Sequence, residues 1–203
     1  LATGLRHRRL AVPGLELADR IASPRKALEG WRDRRVAVVG GGDEASSLAY
    51  DLATHGATVS LLVRSALRAR PAFAEPVRRE PRVAIRQGAV TERFEGGAGG
   101  DAGGDAGGGE ITVVLTSGER LAVDECFVRI GVEPSLPQIE PELERLADGR
   151  LRVDGQMRTS CDTLFAAGDL VRPPAERYIA AALADGAIVA RNVEGDLAGA
   201  SSS

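Results

Sequence analysis

An apolar run, Val36-Ala37-Val38-Val39, breaks into Gly40-Gly41-Gly42 and continues as Asp43-Glu44-Ala45. No other stretch constrains the fold as much. Consecutive aliphatic residues fit a parallel strand buried on both faces. The spacing Gly40-x-Gly42-x-x-Ala45 then fits a tight turn into a helix, and residues 46–55 read as that helix. Gly40 lets the chain turn sharply. Gly42 leaves no side chain between the backbone and a ligand, and Ala45 is small enough for helix to pack on strand. Amides and dipole at a helix start attract phosphate. Taken alone, the spacing also fits a glycine-rich turn that binds nothing. With a strand before it and a helix after it, it reads as a dinucleotide fingerprint. Gly40, Gly41, Gly42, Asp43, Glu44 and Ala45 are therefore candidate cofactor contacts.

Residues 57–63 (Ala-Thr-Val-Ser-Leu-Leu-Val) read as a second buried parallel strand. The residue ending this strand meets the adenosine ribose in such a unit. An acid there suits the 2′-hydroxyl of NAD, and a base suits the 2′-phosphate of NADP. Here Arg64 ends the strand, Arg68 follows, and no Asp or Glu occurs from Val59 to Ala74. Guanidinium groups grip phosphate with paired hydrogen bonds. The expected nucleotide is NADP(H), with Arg64 and Arg68 as the residues that sense it, although Arg68 and Arg70 also read as ordinary surface charges.

The 203 residues suffice for one medium or two small domains. A net charge of −3 argues against general nucleic-acid binding, and no apolar run approaches the ~20 residues of a membrane span. No signal peptide is recognisable, so a cytoplasmic location away from membranes is expected. Aromatic residues make up 3%, which leaves the core to Val, Leu, Ile and Ala. Cys126 and Cys161 lie far apart and form neither a C-x-x-C nor a metal cluster, and His7 and His55 read as surface histidines. No metal site is expected. The opening Leu1-Ala2-Thr3-Gly4 has the look of the middle of a fold, and a fragment of a longer protein is expected.

The remaining pattern predicts a strand end at residues 1–3, a turn at Pro13-Gly14, and a helix starting at Ser23-Pro24 and running toward Trp31. A short helix is expected over 71–80 and strands over 82–86 and 89–95. Residues 96–109 are nearly all Gly, Ala and Asp and read as a disordered loop inside a β-hairpin. Strands at 111–115 and 121–130 complete an antiparallel excursion and return to the parallel sheet. Gly131-Val132-Glu133-Pro134 marks a domain exit. Strands at 151–153 and 163–166 and a helix over 175–194 follow.

The order of these motifs resembles the C-terminal two-thirds of thioredoxin-reductase-like flavoproteins, two-domain pyridine nucleotide oxidoreductases that carry FAD. Leu1-Ala2-Thr3-Gly4 is similar to the family's Ala-Thr-Gly crossover, and Gly40 to Asp43 to its NADPH fingerprint. Arg64 and Arg68 are similar to its 2′-phosphate arginines, although Ser65 stands where the family often has a second, adjacent Arg. Ile130-Gly131-Val132-Glu133-Pro134 is similar to its return crossover. Thr159-Ser160 through Phe165-Ala166-Ala167-Gly168-Asp169 resembles its second FAD motif, and Arg177-Tyr178-Ile179 through Asp185-Gly186-Ala187 its last helix.

The resemblance implies an α/β, Rossmann-like FAD/NAD(P)-binding fold: a parallel sheet with helices, an antiparallel β excursion and a second, incomplete FAD domain. It divides the chain into 1–22 (part of the FAD domain and crossover), 23–133 (NAD(P)H domain) and 134–203 (C-terminal part of the FAD domain). It implies FAD as a second cofactor and adds Thr3, Gly4, Ile130, Gly131, Gly168, Asp169, Arg177, Tyr178 and Ile179 as cofactor contacts. Asp169 would bond the flavin's ribityl or phosphate chain, and the helix near Tyr178 would start beside the flavin ring.

Two departures qualify it. The family's first FAD fingerprint lies upstream of this chain, so the chain alone is expected to hold FAD weakly or not at all. Residues 21–34 contain no cysteine where thioredoxin reductases carry C-x-x-C. The expected function is an FAD-dependent oxidoreductase that passes hydride from NADPH to flavin and on to a small-molecule or protein acceptor, as ferredoxin–NADP reductases do, with no catalytic side chain of its own. The alternatives are a disulfide reductase whose cysteines lie upstream, and a non-catalytic NADP(H)-binding module. Relatives are commonly homodimers.

Overall fold

A computed structural model of the chain describes residues 1–19, 30–96 and 109–200. The expected helix start at Ser23-Pro24, the expected boundary between 22 and 23, and most of the glycine-rich segment lie outside the described residues. The chain separates into two compact units, Arg8–Gly131 and Leu1–His7 with Val132–Ser203.

In the unit Arg8–Gly131, strands β2 (Arg35–Val39), β3 (Thr58–Val63), β4 (Val83–Gln87) and β8 (Glu125–Val128) form a parallel sheet in the order β4-β3-β2-β8. Helix α1 (Asp43–Thr54) connects β2 to β3, and α2 (Pro71–Arg79) connects β3 to β4. Strands β5 (Thr91–Gly96), β6 (Ile111–Leu115) and β7 (Arg120–Val123) form a separate antiparallel sheet.

Strand side chains alternate between faces, so each parallel strand serves two cores. Val36, Val38, Val59, Leu61, Val63 and Phe127 pack with Leu48, Ala49 and Leu52 of α1 and Val77 of α2. Their neighbours Ala37, Val39, Leu62, Cys126 and Val128 pack with Phe94, Ile111, Val113, Leu115 and Val123 of the antiparallel sheet. The layers are thus helices, parallel sheet and antiparallel sheet. On the helical side Trp31 meets Phe127 edge to face, with centroids 5.7 Å apart.

The apolar run 121–130 is not one strand. Asp124 divides it: its amide donates to the Arg35 carbonyl at 2.8 Å, and its carboxylate accepts from the Arg35 amide at 2.8 Å and the Arg35 guanidinium at 2.6 Å. The chain changes partners there, leaving β6 for β2.

In the other unit, β1 (Leu5–His7) pairs antiparallel with β9 (Val132–Pro134). The strand expected at residues 1–3 begins instead after Gly4, whose φ of +67° breaks the extended run. The strands expected at 151–153 and 163–166 are only isolated bridges, Arg145 to Leu151 and Arg158 to Phe165. Side chains hold this region as turns. Asp154 accepts from the amides of Gln156 and Arg158, and the Thr159 hydroxyl bonds the carbonyls of Cys161 and Leu164. Helix α3 (Ile179–Ala200) starts later than expected, because a 3-10 turn over Pro174–Glu176 precedes it. Among the described residues no helix is long and apolar enough to cross a membrane.

Phe127 is fully buried at the edge strand β8. Phe127→Ala is expected to destabilise the chain by about 3–5 kcal/mol, read from urea denaturation.

Candidate functional site

Strand β2 lies between β3, which follows it in the chain, and β8, which closes the sheet last. The connections therefore diverge at the carboxyl end of β2, and crevices at such points take ligands in open α/β sheets. Gly40 stands there. Its amide donates to the Leu62 carbonyl at 2.9 Å, and the Arg129 amide donates to the Val39 carbonyl at 2.7 Å. Gly40 has φ +150°, and a β-carbon on it would lie 2.1 Å from the Arg129 carbonyl oxygen and 2.9 Å from Cβ of Ala45. Ala45 is fully buried and supports the bend without reaching the cleft above it.

That cleft, about 610 Å³, lies wholly within the unit Arg8–Gly131. Gly40, Gly41, Gly42, Asp43 and Glu44 form its floor. Arg64 and Arg68 line it just beyond β3, both exposed, and among the described residues neither has an ion-pair partner. The Arg68 amide donates to the Gly41 carbonyl at 2.7 Å, tying its loop to the floor. Ile130 and Gly131 close the cleft beyond β8. The structure thus brings Gly40–Glu44, Arg64, Arg68, Ile130 and Gly131 to one place.

Both acids in the first turn of α1 are engaged. Asp43 accepts from the Arg70 amide at 2.7 Å and from its Nε at 2.5 Å. Glu44 pairs with Arg129 Nε at 3.3 Å, and Asp19 takes Arg129 Nη1 at 2.6 Å. Arg129 and Arg8 also line the cleft, and sequence reasoning passed over both. A signal existed for Arg129: it is the one charge between Cys126 and Ile130 in an otherwise apolar run. Arg8 sits in a basic stretch with nothing to single it out.

The remaining candidates lie in the other unit. The Thr3 hydroxyl donates to the Ser135 carbonyl, and the Ser135 amide donates to the Gly4 carbonyl at 2.9 Å. Gly168 has φ +70° and opens a 3-10 turn that carries half-buried Asp169. The Gly168 amide donates at 3.1 Å to the buried carboxylate of Asp185 on α3, which also takes the Arg172 guanidinium. That guanidinium holds the Asp185 carboxyl below the usual carboxylate range. Arg177 Nε donates to the Arg172 carbonyl at 3.2 Å, while Tyr178 and Ile179 are exposed at the start of α3.

Residues 1–186 match the profile of the pyridine nucleotide-disulphide oxidoreductases. The chain is 32% identical to thioredoxin reductase of Treponema pallidum over 94% of its own length and 61% of that protein's. It is 31% identical to thioredoxin reductase of Neurospora crassa, over 84% of this chain and 52% of that one. Thioredoxin reductase of Lactococcus lactis superposes with a TM-score of 0.71 at 24% identity, covering 96% of this chain and 64% of that chain, a likeness of fold. The chain thus spans between about half and two-thirds of the lengths of these relatives.

Gly40→Ala drives a β-carbon into the Arg129 carbonyl. It is expected to cost more than about 2 kcal/mol of stability in thermal or urea denaturation.

Proposed function

This chain belongs to the pyridine nucleotide-disulphide oxidoreductase family, and on that premise we propose that its glycine-floored cleft takes NADPH as the electron donor of an FAD-dependent oxidoreductase. One observation carries this reading. Gly42 has φ −99° and ψ −176°, a conformation open to any residue, and a β-carbon on it would meet no atom within 4 Å. It is the N-cap of α1, where Ser, Asp and Asn cap better. Neither backbone, packing nor capping calls for glycine there. A diphosphate lying against bare amides does.

Arg64 and Arg68 lie beyond β3 with no acid between them and suit the extra phosphate of NADPH. In the other unit, Thr3, Gly4, Gly168, Asp169, Arg177, Tyr178 and Ile179 are proposed to serve FAD, with Asp169 accepting from sugar hydroxyls. Asp185 fixes the turn that aims Asp169, and the first amides of α3 offer positive potential to an anionic ring. Bound NADPH and FAD would supply the hydride chemistry, and the residues of this chain would align and tune the two cofactors. Cys126 is fully buried and its thiol is pushed well above the ordinary range by desolvation, so it is not a nucleophile. Cys161 is half-buried in the other unit. A thiol as inert as that of Cys126 cannot serve as one half of a dithiol relay, and the acceptor we infer is a small molecule or a protein that takes electrons from flavin.

Gly42→Ser is expected to keep or slightly raise stability as a better cap while weakening NADPH about tenfold or more. Thermal denaturation and a fluorescence titration read the two effects separately. Unchanged NADPH affinity would remove the case for the cleft. Arg64→Ala and Arg68→Ala are each expected to raise the Kd for NADPH about tenfold and leave that for NADH unchanged. Equal affinity of the parent chain for both nucleotides would refute the assignment to the arginines.

A further inference from the structure

Acids in the first turn of a helix stabilise it while it is empty. They also oppose any second anion that approaches the same amides. Asp43 and Glu44 fill the first two positions of α1, on the floor of the cleft. A diphosphate on that floor would meet two carboxylates, and like charges placed together at a binding surface cost several kcal/mol. Each acid is answered by an arginine from outside the helix, and the two answers differ in kind. Arg70, which holds Asp43, has a side chain 72% exposed, where water and salt screen it. Arg129, which holds Glu44, has a side chain only 9% exposed.

Arg129 is held on several sides. Its Nη1 donates to Asp19 at 2.6 Å and to the Val128 carbonyl at 2.8 Å, and its guanidinium carbon lies 5.6 Å from the centre of the Phe127 ring. Its backbone is fixed at the bend, with its amide on the Val39 carbonyl and its own carbonyl against Gly40. A guanidinium so confined is a fixed positive charge beside Glu44 in the lining of the cleft. Glu44 is about as exposed as Asp43, so the two pairs differ in the burial of the arginine, and the Arg129 pair is the less screened.

We propose that Arg129 is a positioning residue for the nucleotide: it holds and neutralises the Glu44 carboxylate so that the amides at the start of α1 can accept a diphosphate. This deepens the NADPH reading and rests on it. Arg129 acts through Glu44, which makes the consequence specific. Loss of Arg129 harms binding because Glu44 remains, and the harm is reversed when the Glu44 charge is removed as well.

The test is a double-mutant cycle on the 203-residue chain with NADPH as probe. Arg129→Gln is expected to raise the Kd for NADPH about tenfold or more, with the gap narrowing as salt is raised. Glu44→Gln is expected to bind more tightly than the parent. The double variant R129Q/E44Q is expected to return to within about threefold of the parent. A double variant as weak as R129Q overturns the proposal in favour of a bracing role for Arg129. If R129Q does not fold, Glu44→Gln decides alone, and weaker binding than the parent overturns the proposal. A parent chain that does not bind NADPH overturns the site reading and this inference with it. A parent that binds, without rescue in the double variant, overturns only this inference.

Discussion

The carbonyl oxygen of Arg129 lies in the space that a β-carbon on Gly40 would need. This close approach ties the end of β2 to the residue after β8, because the Arg129 amide is bonded to Val39 at the same time. With β8 held there, β2 has a parallel neighbour on each side, and the chain leaving β2 must rise out of the sheet plane into α1. Ala45 continues the same economy of atoms: its single methyl fits over Gly40 and lets the helix start close to the strand. The cleft exists because two strands and a helix converge on one residue without a side chain.

Away from the bend, the parity of the strands organises the unit. Odd and even positions of β2, β3 and β8 point into different cores, and both cores are aliphatic because so few aromatic residues are available. The aromatic exceptions are Phe94 on the antiparallel side and the pair Trp31 and Phe127 on the helical side of the edge strand. The charge pattern follows the same geometry. Acids that favour α1 are tied to arginines that belong to other segments, so the charge at the start of the helix is set through tertiary contacts.

Those tertiary contacts mark the limit of what could be read in the chain. The strand–glycine–helix unit, the second strand and its terminal arginines are local patterns, and local patterns survive in sequence. The two faces of β2 were not separable in advance, because Val36-Ala37-Val38-Val39 is apolar at every position. The break at Asp124 depends on Arg35, 89 residues away, and gave no local sign. In residues 140–170, Asp154 and Thr159 bond backbone groups only a few residues away, and the β-like composition there ends as turns and isolated bridges. Within the site, Arg64 and Arg68 were legible from their place after a strand. The pairing of Arg129 with Glu44 and Asp19 was not, since a salt bridge between residues 44 and 129 has no periodicity to betray it.

The amide of Arg8 donates to the carbonyl of Gly131 at 2.9 Å, so the first and last residues of this unit touch. A segment whose ends meet burdens its host little even when long, since the entropy of closing a loop grows only as the logarithm of the residues within it. Such a piece is modular. Excising residues 8–131 and joining the cut ends asks for no long splice, and transplanting them into an exposed turn of another protein asks only that the turn's stems be a hydrogen bond apart.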